Sequence, residues 1–548
     1  MSLQPQAIPP IPEETARVAR ALFPKKRNRY MQLRDELGTV YTDEQFAALY
    51  PEGGQFAEQP WRIALLLVMQ YRENYTDRQA AEAMRTRMDW KYVLSLELSD
   101  PGFDFSILSE FRQRLLAGGQ EEVLLNTLLQ LCRERGWLKE RGKQRTDSTH
   151  VLAAIRTMNR LECVAETLRA ALNSLAVVVP DWLRAQVPGE WYDRYGSRTE
   201  EYRFPKEATK RQALTEQIGS DGWWLLLAIR SAYAPMWLAE VPAVEILRRV
   251  WVQQFWMEDG VLRWRSDQDI PPASLLISSP YDPEAHLSIK RSTVWTGYKV
   301  HLTETCDEEP PHLLIHVETT SATTQDMEMT GTIHQALATK HLLPAEHAMD
   351  TGYVDGDHLV TSQNTYEVEL LGPVTTSPSW QARAGQGFDH TGFTIDWQAK
   401  KATCPQGKIS RKWTLKQDRT VSGVIRIQFG KQDCLACPCR SQCTTASTNP
   451  RQLVVRPQAQ FEAIQAARQR QETQEFKERY AIRAGIEGTI SQGVRAFDLR
   501  RSRYIGLAKT HVQHVITATA MNFSRLRAWL MGIPLDGTPI SRFAALAL

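Results

Sequence analysis

One short run near the C-terminus restricts what this chain can fold into more than any other feature. In Tyr480-Ala-Ile-Arg483-Ala-Gly-Ile-Glu487 an aromatic, a guanidinium and a carboxylate are spaced i, i+3 and i+7, so on a helix they share one face. Such a face does not suit the apolar stripe that packs a helix into a core. It suits a site where the carboxylate binds a metal ion and the arginine meets a phosphate, although helix packing with an Arg483–Glu487 ion pair is the alternative.

The residues around this run are mostly basic. Between Tyr480 and Trp529 there are eight Lys/Arg residues and only two acidic ones, Glu487 and Asp498. A lone carboxylate in a basic, aromatic segment is typical of metal chemistry on a nucleic acid. We therefore predict phosphate contacts from the basic side chains that follow the run: Arg495, Arg500, Arg501, Arg503 and Lys509.

Length and composition predict a multidomain globular protein. A chain of 548 residues is too long for one core, and 42% hydrophobic with 24% charged residues is ordinary for globular proteins. The longest apolar runs, Ile63–Met69 and Trp223–Ile229, are far shorter than the roughly 20 residues that span a bilayer. With no apolar signal region near the N-terminus, we predict a cytoplasmic protein that does not enter a membrane.

The N-terminal part reads as helical. Residues 1–20, with several prolines, are expected to be a poorly ordered lead, followed by a helical domain over residues 21–140. Trp61–Tyr71 has the pattern of a buried helix, and Thr76 begins a capping box for a second helix. The tight turn between them predicts either a DNA-binding helix-turn-helix or plain helix packing. A further helix is predicted over Phe105–Leu115, with Ser106 as its N-cap.

Two more acidic residues fall on predicted strands. Gln144–Ala153 has the pattern of a short strand that carries Asp147, and an acid in a buried strand is costly unless it is paired or bound to metal. A surface turn is the alternative for Asp147. The segment before Asp350 predicts a strand that ends at this acid, where mixed α/β sheets place active sites. Asp355 and Asp357 are expected to shape or cap the helix that follows.

Five of the eight cysteines lie within Cys404–Cys443. A CxxC pair is a usual half-site for tetrahedral zinc, and the set Cys404, Cys434, Cys437 and Cys443 predicts one structural Zn²⁺ ion. Cys439 is left over. An iron–sulfur cluster and a group of free or disulfide-bonded cysteines are the alternatives.

Three acidic motifs carry a resemblance to a known family. Thr146-Asp147-Ser148-Thr149, Met349-Asp350-Thr351-Gly352-Tyr353 and Tyr480-x2-Arg483-x3-Glu487-Gly488 resemble the motifs of bacterial DDE insertion-sequence transposases. The cysteines and the stretch Leu499–Ala508 resemble the insertion-sequence group numbered eleven eighty-two. The resemblance covers about residues 20 to 530. Related groups have a lysine seven residues after the glutamate, whereas this chain has Val494 there, followed by Arg495.

The resemblance implies an α/β fold with a ribonuclease-H-like mixed-sheet catalytic core. To this core it adds an N-terminal helical DNA-binding domain, a helical insertion and a small Cys-rich β insertion. The predicted boundaries are 141–160, 270–376 and 456–530 for the core, 161–269 for the helical insertion, 377–455 for the Cys-rich insertion and 531–548 for a C-terminal tail.

The resemblance also implies an activity. Asp147, Asp350 and Glu487 would bind two Mg²⁺ ions, while Arg483 and Tyr480 would contact the DNA beside them. The expected substrates are the inverted-repeat ends of the chain's own element and a target DNA, both double-stranded, with a homodimer assembled on them. The alternatives are a nuclease of the same fold without strand transfer and a non-catalytic DNA-binding descendant, although all three acidic motifs are intact.

Overall fold

The computed structural model describes residues 2–23, 28–200, 204–377, 379–417 and 423–533. The helices in these ranges are α1 Glu13–Leu22, α2 Arg29–Leu37, α3 Pro60–Glu73, α4 Asp77–Thr86, α5 Met88–Val93, α6 Ser106–Ala117, α7 Val123–Glu134, α8 Arg160–Val178, α9 Pro180–Gln186, α10 Glu190–Tyr195, α11 Ala208–Ile229, α12 Pro242–Gln254, α13 Met329–Thr339, α14 Gly356–Tyr366, α15 Trp380–Ala384, α16 Lys431–Leu435, α17 Arg440–Cys443, α18 Gln458–Arg470, α19 Gln474–Tyr480, α20 Gly485–Phe497 and α21 Leu507–Leu530. The strands are β1 Lys143–Leu152, β2 Phe255–Glu258, β3 Val261–Trp264, β4 His286–Lys290, β5 Thr293–Thr305, β6 Leu314–Ser321, β7 Glu346–Met349, β8 Glu369–Leu371, β9 Thr394–Asp396, β10 Lys401–Thr403, β11 Lys412–Lys416, β12 Val424–Gln428 and β13 Gln452–Val455.

A mixed sheet lies at the centre of the molecule. β1 pairs antiparallel with β5 on one side and parallel with β7 on the other, and β7 continues parallel to β8. β4 and β6 both pair antiparallel with the free side of β5. The predicted mixed α/β architecture is confirmed, and this arrangement is compatible with a ribonuclease-H-like fold.

The apolar cores show how the rest of the chain attaches to this sheet. One large core joins the N-terminal helices, the central sheet and the buried face of α21. The helices α8 to α12 pack around a separate core of their own. A third and much smaller core lies among the strands β9 to β13, next to the cysteines. The N-terminal helices therefore form one packed body with the sheet, whereas the two later segments have cores of their own.

Several predicted elements occur where they were expected. Thr76 caps α4 with the predicted capping box, and Asp355 caps α14 by accepting a hydrogen bond from the backbone N–H of His358. Asn74 ends α3 in the left-handed conformation, with φ 56°, which produces the tight turn before α4. Asp147 lies on β1, and Asp350 follows the last residue of β7.

Three expectations are corrected. Residues 13–22 form a helix rather than a disordered lead, because Thr15 and Ala19 pack inward and the Thr15 hydroxyl donates to the carbonyl of Leu96. Ser106 is the first residue of α6 and not its N-cap, which is Phe105. The run from Tyr480 is not one regular helix, since a 3₁₀ turn over Ala481–Ala484 separates α19 from α20.

Two other predictions concern the ends of the chain and the membrane. Among the described residues, no helix combines the length and apolar character needed to cross a bilayer. Of the expected C-terminal tail, residues 534–548 lie outside the described part of the chain.

Candidate active site

The register of two parallel strands brings the two aspartates together. Thr146 on β1 pairs with Met349 on β7, so Asp147 and Asp350 occupy equivalent positions one residue further along. Neighbouring strands are about 4.8 Å apart, and residues in equivalent positions of parallel strands point to the same face. Two acids that are far apart in the sequence therefore lie side by side at one edge of the sheet.

The helix that carries Glu487 is fixed against the same strand. Arg145, two residues before Asp147, donates a hydrogen bond of 2.6 Å to the carbonyl of Ile482 in the 3₁₀ turn. Its guanidinium lies so close to Gly485 that an added Cβ would come within 1.9 Å of Nη1. Glycine at the first position of α20 thus lets the arginine pass beneath the turn that presents Arg483 and Glu487.

Arg483 contacts all three acids, which we call the acidic triad: Asp147, Asp350 and Glu487. Its Nη2 lies 2.6 Å from Asp147 Oδ2 and 3.8 Å from Asp350 Oδ2. Its Nη1 lies 2.6 Å from Glu487 Oε1. The structure therefore brings the three acids to one point, and one guanidinium lies between them.

The three acids differ in their exposure. The Asp147 side chain is 13% exposed, the Asp350 side chain 36% and the Glu487 side chain 65%. Burial raises the pKa of Asp147 to about 6, against the lowering effect of Arg483. Burial also disfavours the Arg483 charge, yet Asp147 and the other acids keep the pKa of Arg483 above its usual value. The buried aspartate is thus the member of the triad that depends most on a nearby cation.

A buried ion-pair cluster beneath the site was not predicted from the sequence. Glu304 on β5 is fully buried and accepts hydrogen bonds of 2.7 Å from Arg145, 2.6 Å from Arg525 and 2.6 Å from Thr489. Burial alone would raise the Glu304 pKa, but the two arginines hold it below its usual range. Because these side chains come from β1, β5, α20 and α21, the cluster fixes the orientation of the Glu487 helix.

A fourth acid also lies next to the site. Asp326 Oδ1 accepts hydrogen bonds of 3.0 Å from the Ser148 hydroxyl and 3.0 Å from Lys299 Nζ, and Lys290 Nζ lies 3.2 Å from its other oxygen. These cations hold the Asp326 pKa below its usual range despite burial. Lys299, in the middle of the buried strand β5, could have indicated this acid. A buried charge needs a partner, and the same argument identified Asp147.

Tyr480 packs within the protein in this structure. Its ring stacks on Phe476 with centroids 5.5 Å apart and an interplanar angle of 13°. The same small cluster includes Ala348 and Leu371 of the strands β7 and β8. Burial raises the pKa of Tyr480 to about 12. The ring adjoins the acidic triad, and its predicted contact with a nucleotide stays a prediction.

The basic segment after α20 divides into two groups. Arg500 donates to the Thr149 hydroxyl, and Arg503 donates to Asn74 Oδ1 and to the carbonyl of Tyr75, so both are held by the protein. Arg501, Arg495 and Lys509 are exposed, with 73% of the Arg501 side chain accessible. The contacts of Arg503 tie this segment to the turn between α3 and α4.

Four cysteines surround one small cavity of about 30 Å³: Cys404, Cys434, Cys437 and Cys443. The backbone N–H of Lys408 donates to Cys404 Sγ at 3.3 Å, and that of Arg451 donates to Cys434 Sγ at 3.4 Å. Burial raises the Cys443 pKa against the lowering effect of Arg451, and the other three cysteines raise it further. The predicted four therefore gather in one place, and none of them forms a disulfide.

Neither candidate metal centre is preassembled. Within the described ranges, no group of three or more His, Cys, Asp or Glu side chains has the geometry to hold a metal ion. At the acidic triad, Arg483 occupies the position between the oxygens. The oxygen donors there suit Mg²⁺ and the four sulfurs suit Zn²⁺, so both donor sets fit the predicted ions, and both metals stay predictions.

Comparison with known proteins identifies two regions. Residues 403–527 match the family described as Transposase DDE domain, and residues 17–114 match the family described as Transposase domain (DUF772). No curated protein matches the chain, and no solved structure does. The two family matches confirm the resemblance to DDE insertion-sequence transposases, a family that acts on DNA. The first match includes Glu487 and Arg483, while Asp147 and Asp350 lie outside it.

Proposed function

We propose that this chain, with one transposase domain at residues 17–114 and a DDE domain at residues 403–527, cleaves the ends of its own insertion sequence and joins the 3′-OH ends to target DNA. The observation that carries the proposal is the contact of one guanidinium with all three members of the acidic triad. The acids come from a strand, a strand end and a late helix, and their convergence on one point supplies a set of oxygen donors that a shared metal ligand would use.

In this proposal Asp147, Asp350 and Glu487 hold two Mg²⁺ ions. Such an ion pair supplies activation of the attacking oxygen and stabilisation of the leaving oxygen. For these acids to hold the ions, Arg483 would have to leave its place between them. The released guanidinium, which is anchored next to the site by the Ala481–Ala484 turn, is then free to hold a phosphate oxygen through a charge-assisted hydrogen bond.

The remaining predicted roles complete the proposal. Tyr480, at the edge of the triad, would contact a nucleotide that flanks the cleaved bond. The exposed Arg501, Arg495 and Lys509 would meet the DNA backbone directly. Arg500 and Arg503 would do so through donors that the protein does not already use. End-sequence recognition would lie in the helices between Trp61 and Leu115, and a homodimer would form on the two ends.

The Cys-rich segment has its own proposal. Cys404, Cys434, Cys437 and Cys443 would hold one structural Zn²⁺ ion, supported by their shared cavity and by the backbone N–H groups that donate to two of the sulfurs. The apolar core beside them is small, so a metal would contribute to its folding. Metal analysis of the purified chain should find about one zinc ion; iron with an absorbing cluster would identify the iron–sulfur alternative.

One experiment separates transposition from simple nuclease activity. The chain is incubated with Mg²⁺, its own flanking DNA and a supercoiled target, and the 3′ ends are mapped by sequencing. We expect breaks at the element ends and covalent joints to the target. Breaks without joints would support a nuclease of the same fold, and binding without breaks would support a non-catalytic descendant.

A further inference from the structure

A second cavity lies away from the acidic triad, between α2, α3 and α21. Its volume is about 310 Å³, at the lower end of the range of about 300–1,000 Å³ for small-ligand sites. Leu33, Leu65, Val68 and Phe523 form part of an apolar wall. Four arginines also line it, and we call it the arginine pocket: Arg29, Arg34, Arg72 and Arg527.

These four guanidinium groups form no ion pair with an acid among the described residues. In the part of the chain that the structure describes, no carboxylate oxygen lies within ion-pair distance of any of them. Arg34 donates to the Ser95 hydroxyl at 3.0 Å, and Arg527 donates to Gln32 Oε1 at 2.8 Å. Arg72 lies over the Phe497 ring, 5.1 Å from its centroid, and its buried Nε has no hydrogen-bond acceptor.

Three of the four arginines have pKa values below the ordinary value of an arginine. Burial lowers the pKa of Arg34, Arg72 and Arg527, and the charge of Arg29 lowers those of Arg72 and Arg527 further. Like charges that are partly buried together repel one another and lose hydration. Neighbouring carboxylates act in the opposite direction on Arg34 and Arg72 but do not outweigh burial. A bound anion would offset the remaining cost, since no carboxylate of the described residues forms an ion pair with these arginines.

We propose that the arginine pocket binds a backbone phosphate of the DNA that the chain acts on. This inference rests on the proposed function, because DNA is the polyanion which that function brings to the protein. The planar donor fork of arginine matches phosphate oxygens, and the apolar wall offers a surface for the attached sugar. Arg72 comes from the region that matches one transposase family and Arg527 from the region that matches the other, so a phosphate here links the two.

The fold also limits which phosphate is held. Phe497, beneath Arg72, is the last residue of α20, and Glu487 lies near the start of that helix. Ten residues of helix correspond to about 15 Å, which matches about four or five base pairs at 3.4 Å each. For a duplex that lies along α20, the pocket would hold a phosphate about four or five base pairs from the bond that is cleaved.

The test combines protein and DNA substitutions. Arg72→Gln and Arg527→Gln are compared with Arg17→Gln, an exposed arginine of α1 that does not line the pocket. Affinity for a duplex of the element end is measured against salt, and single backbone phosphates are replaced one at a time by neutral methylphosphonates. We expect each pocket variant to weaken binding about tenfold and to reduce the salt slope by about one, whereas Arg17→Gln has no such effect.

The methylphosphonate scan supplies the decisive result. One or two neutral positions, about four or five base pairs from the cleaved end, should weaken wild-type binding and have no further effect on the pocket variants. Equal effects of every position in wild type and variants would overturn the proposal. Thermal stabilisation of the wild type alone by inorganic phosphate, with unchanged DNA affinity, would instead identify a site for a free anion and also overturn it. Thermal unfolding of each variant excludes misfolding, and Arg72→Lys, which keeps the charge, should restore part of the affinity.

The result is independent of whether the chain is a transposase. Cleavage and joining are measured separately on the same DNA with Mg²⁺. If the chain binds DNA through the pocket but neither cuts nor joins it, the proposed function fails and the pocket assignment stands. If the pocket variants cleave and join DNA and bind it with normal affinity, the proposed function stands and the pocket assignment fails.

Discussion

The acidic triad and the arginine pocket treat charge in opposite ways. At the triad, three carboxylates share the guanidinium of Arg483, so opposite charges already meet in the free protein. In the pocket, four guanidinium groups meet, and no carboxylate of the described residues forms an ion pair with them. A metal ion bound at the first site, as we propose, would therefore replace a protein cation, whereas an anion in the second would break no ion pair among the described residues. A cation that binds the triad would compete with the cation Arg483. An anion that binds the pocket would not compete with an ion-paired carboxylate of the described residues.

The largest expected effect tests whether the triad is catalytic. Asp147→Asn, Asp350→Asn and Glu487→Gln should each reduce cleavage by about 10³-fold or more, because a neutral amide does not replace the charge of a carboxylate ligand. DNA affinity should be retained. The measurement is end cleavage with Mg²⁺ at saturating DNA, beside a binding assay in Ca²⁺.

Asp357→Asn is the matched control for these variants. Asp357 lies in the first turn of α14, a few residues after Asp350, and does not contact Arg483 in this structure. It should cleave at the wild-type rate. A triad variant that cleaves as fast as this control would remove that acid from the proposed site.

The second prediction concerns the buried cluster around Glu304, whose charges are paired within the protein and which is not proposed to bind a ligand. Glu304 is fully buried between Arg145 and Arg525, so Glu304→Gln leaves two buried guanidinium groups without their counter-charge. Breaking such a cluster costs about 3 kcal/mol, and the free energy of unfolding in urea should fall by about that amount. Metal addition should not restore it. Unchanged stability would show that the cluster does not hold α20 in place.

The third prediction tests the competition at the triad. Arg483→Gln removes the cation that Mg²⁺ must displace, so the midpoint of a Mg²⁺ titration should fall by about tenfold. Cleavage at saturating Mg²⁺ should nevertheless fall by about 10²-fold, since the released arginine no longer holds a phosphate. Arg72→Gln should leave the Mg²⁺ midpoint unchanged. A higher midpoint in Arg483→Gln would mean that the arginine assists metal binding rather than opposing it.

The acids of the triad could be predicted from the sequence, whereas the side chains and the turn that position them could not. Asp147, Asp350 and Glu487 could be predicted because an acid on a buried strand or a mixed-charge helix face is costly without a purpose. Glu304 and Arg145 could not, since their pairing depends on strand register and on the approach of α20. The 3₁₀ turn over Ala481–Ala484, which interrupts the helix, was also not predicted. The helical spacing of residues in a sequence does not distinguish an α-helix from a short 3₁₀ turn. The arginine pocket joins residues from α2, α3 and α21, which no local pattern connects.

The smallest expected effect comes from pH, and it separates the two sites. The Asp147 pKa is about 6 in the folded protein against an ordinary value of 3.8. The folded state thus holds this proton more tightly than the unfolded state does, and the stability it contributes is fully present below pH 3.8. That contribution is lost as the pH rises through about 6. Without metal, wild-type stability should therefore fall by about 1–3 kcal/mol relative to Asp147→Asn between pH 4 and 7.

The pocket provides the contrast for this measurement. Arginines do not titrate between pH 4 and 7, so the stability difference between wild type and Arg72→Gln should stay constant over that range. The measurement is urea unfolding in a chelator at several pH values for all three proteins. A constant difference between wild type and Asp147→Asn would mean that Arg483 fully compensates Asp147 in the free protein. The pKa of Asp147 in the folded protein would then equal its ordinary value of 3.8, so at neutral pH Mg²⁺ would compete with the guanidinium and not also with a proton.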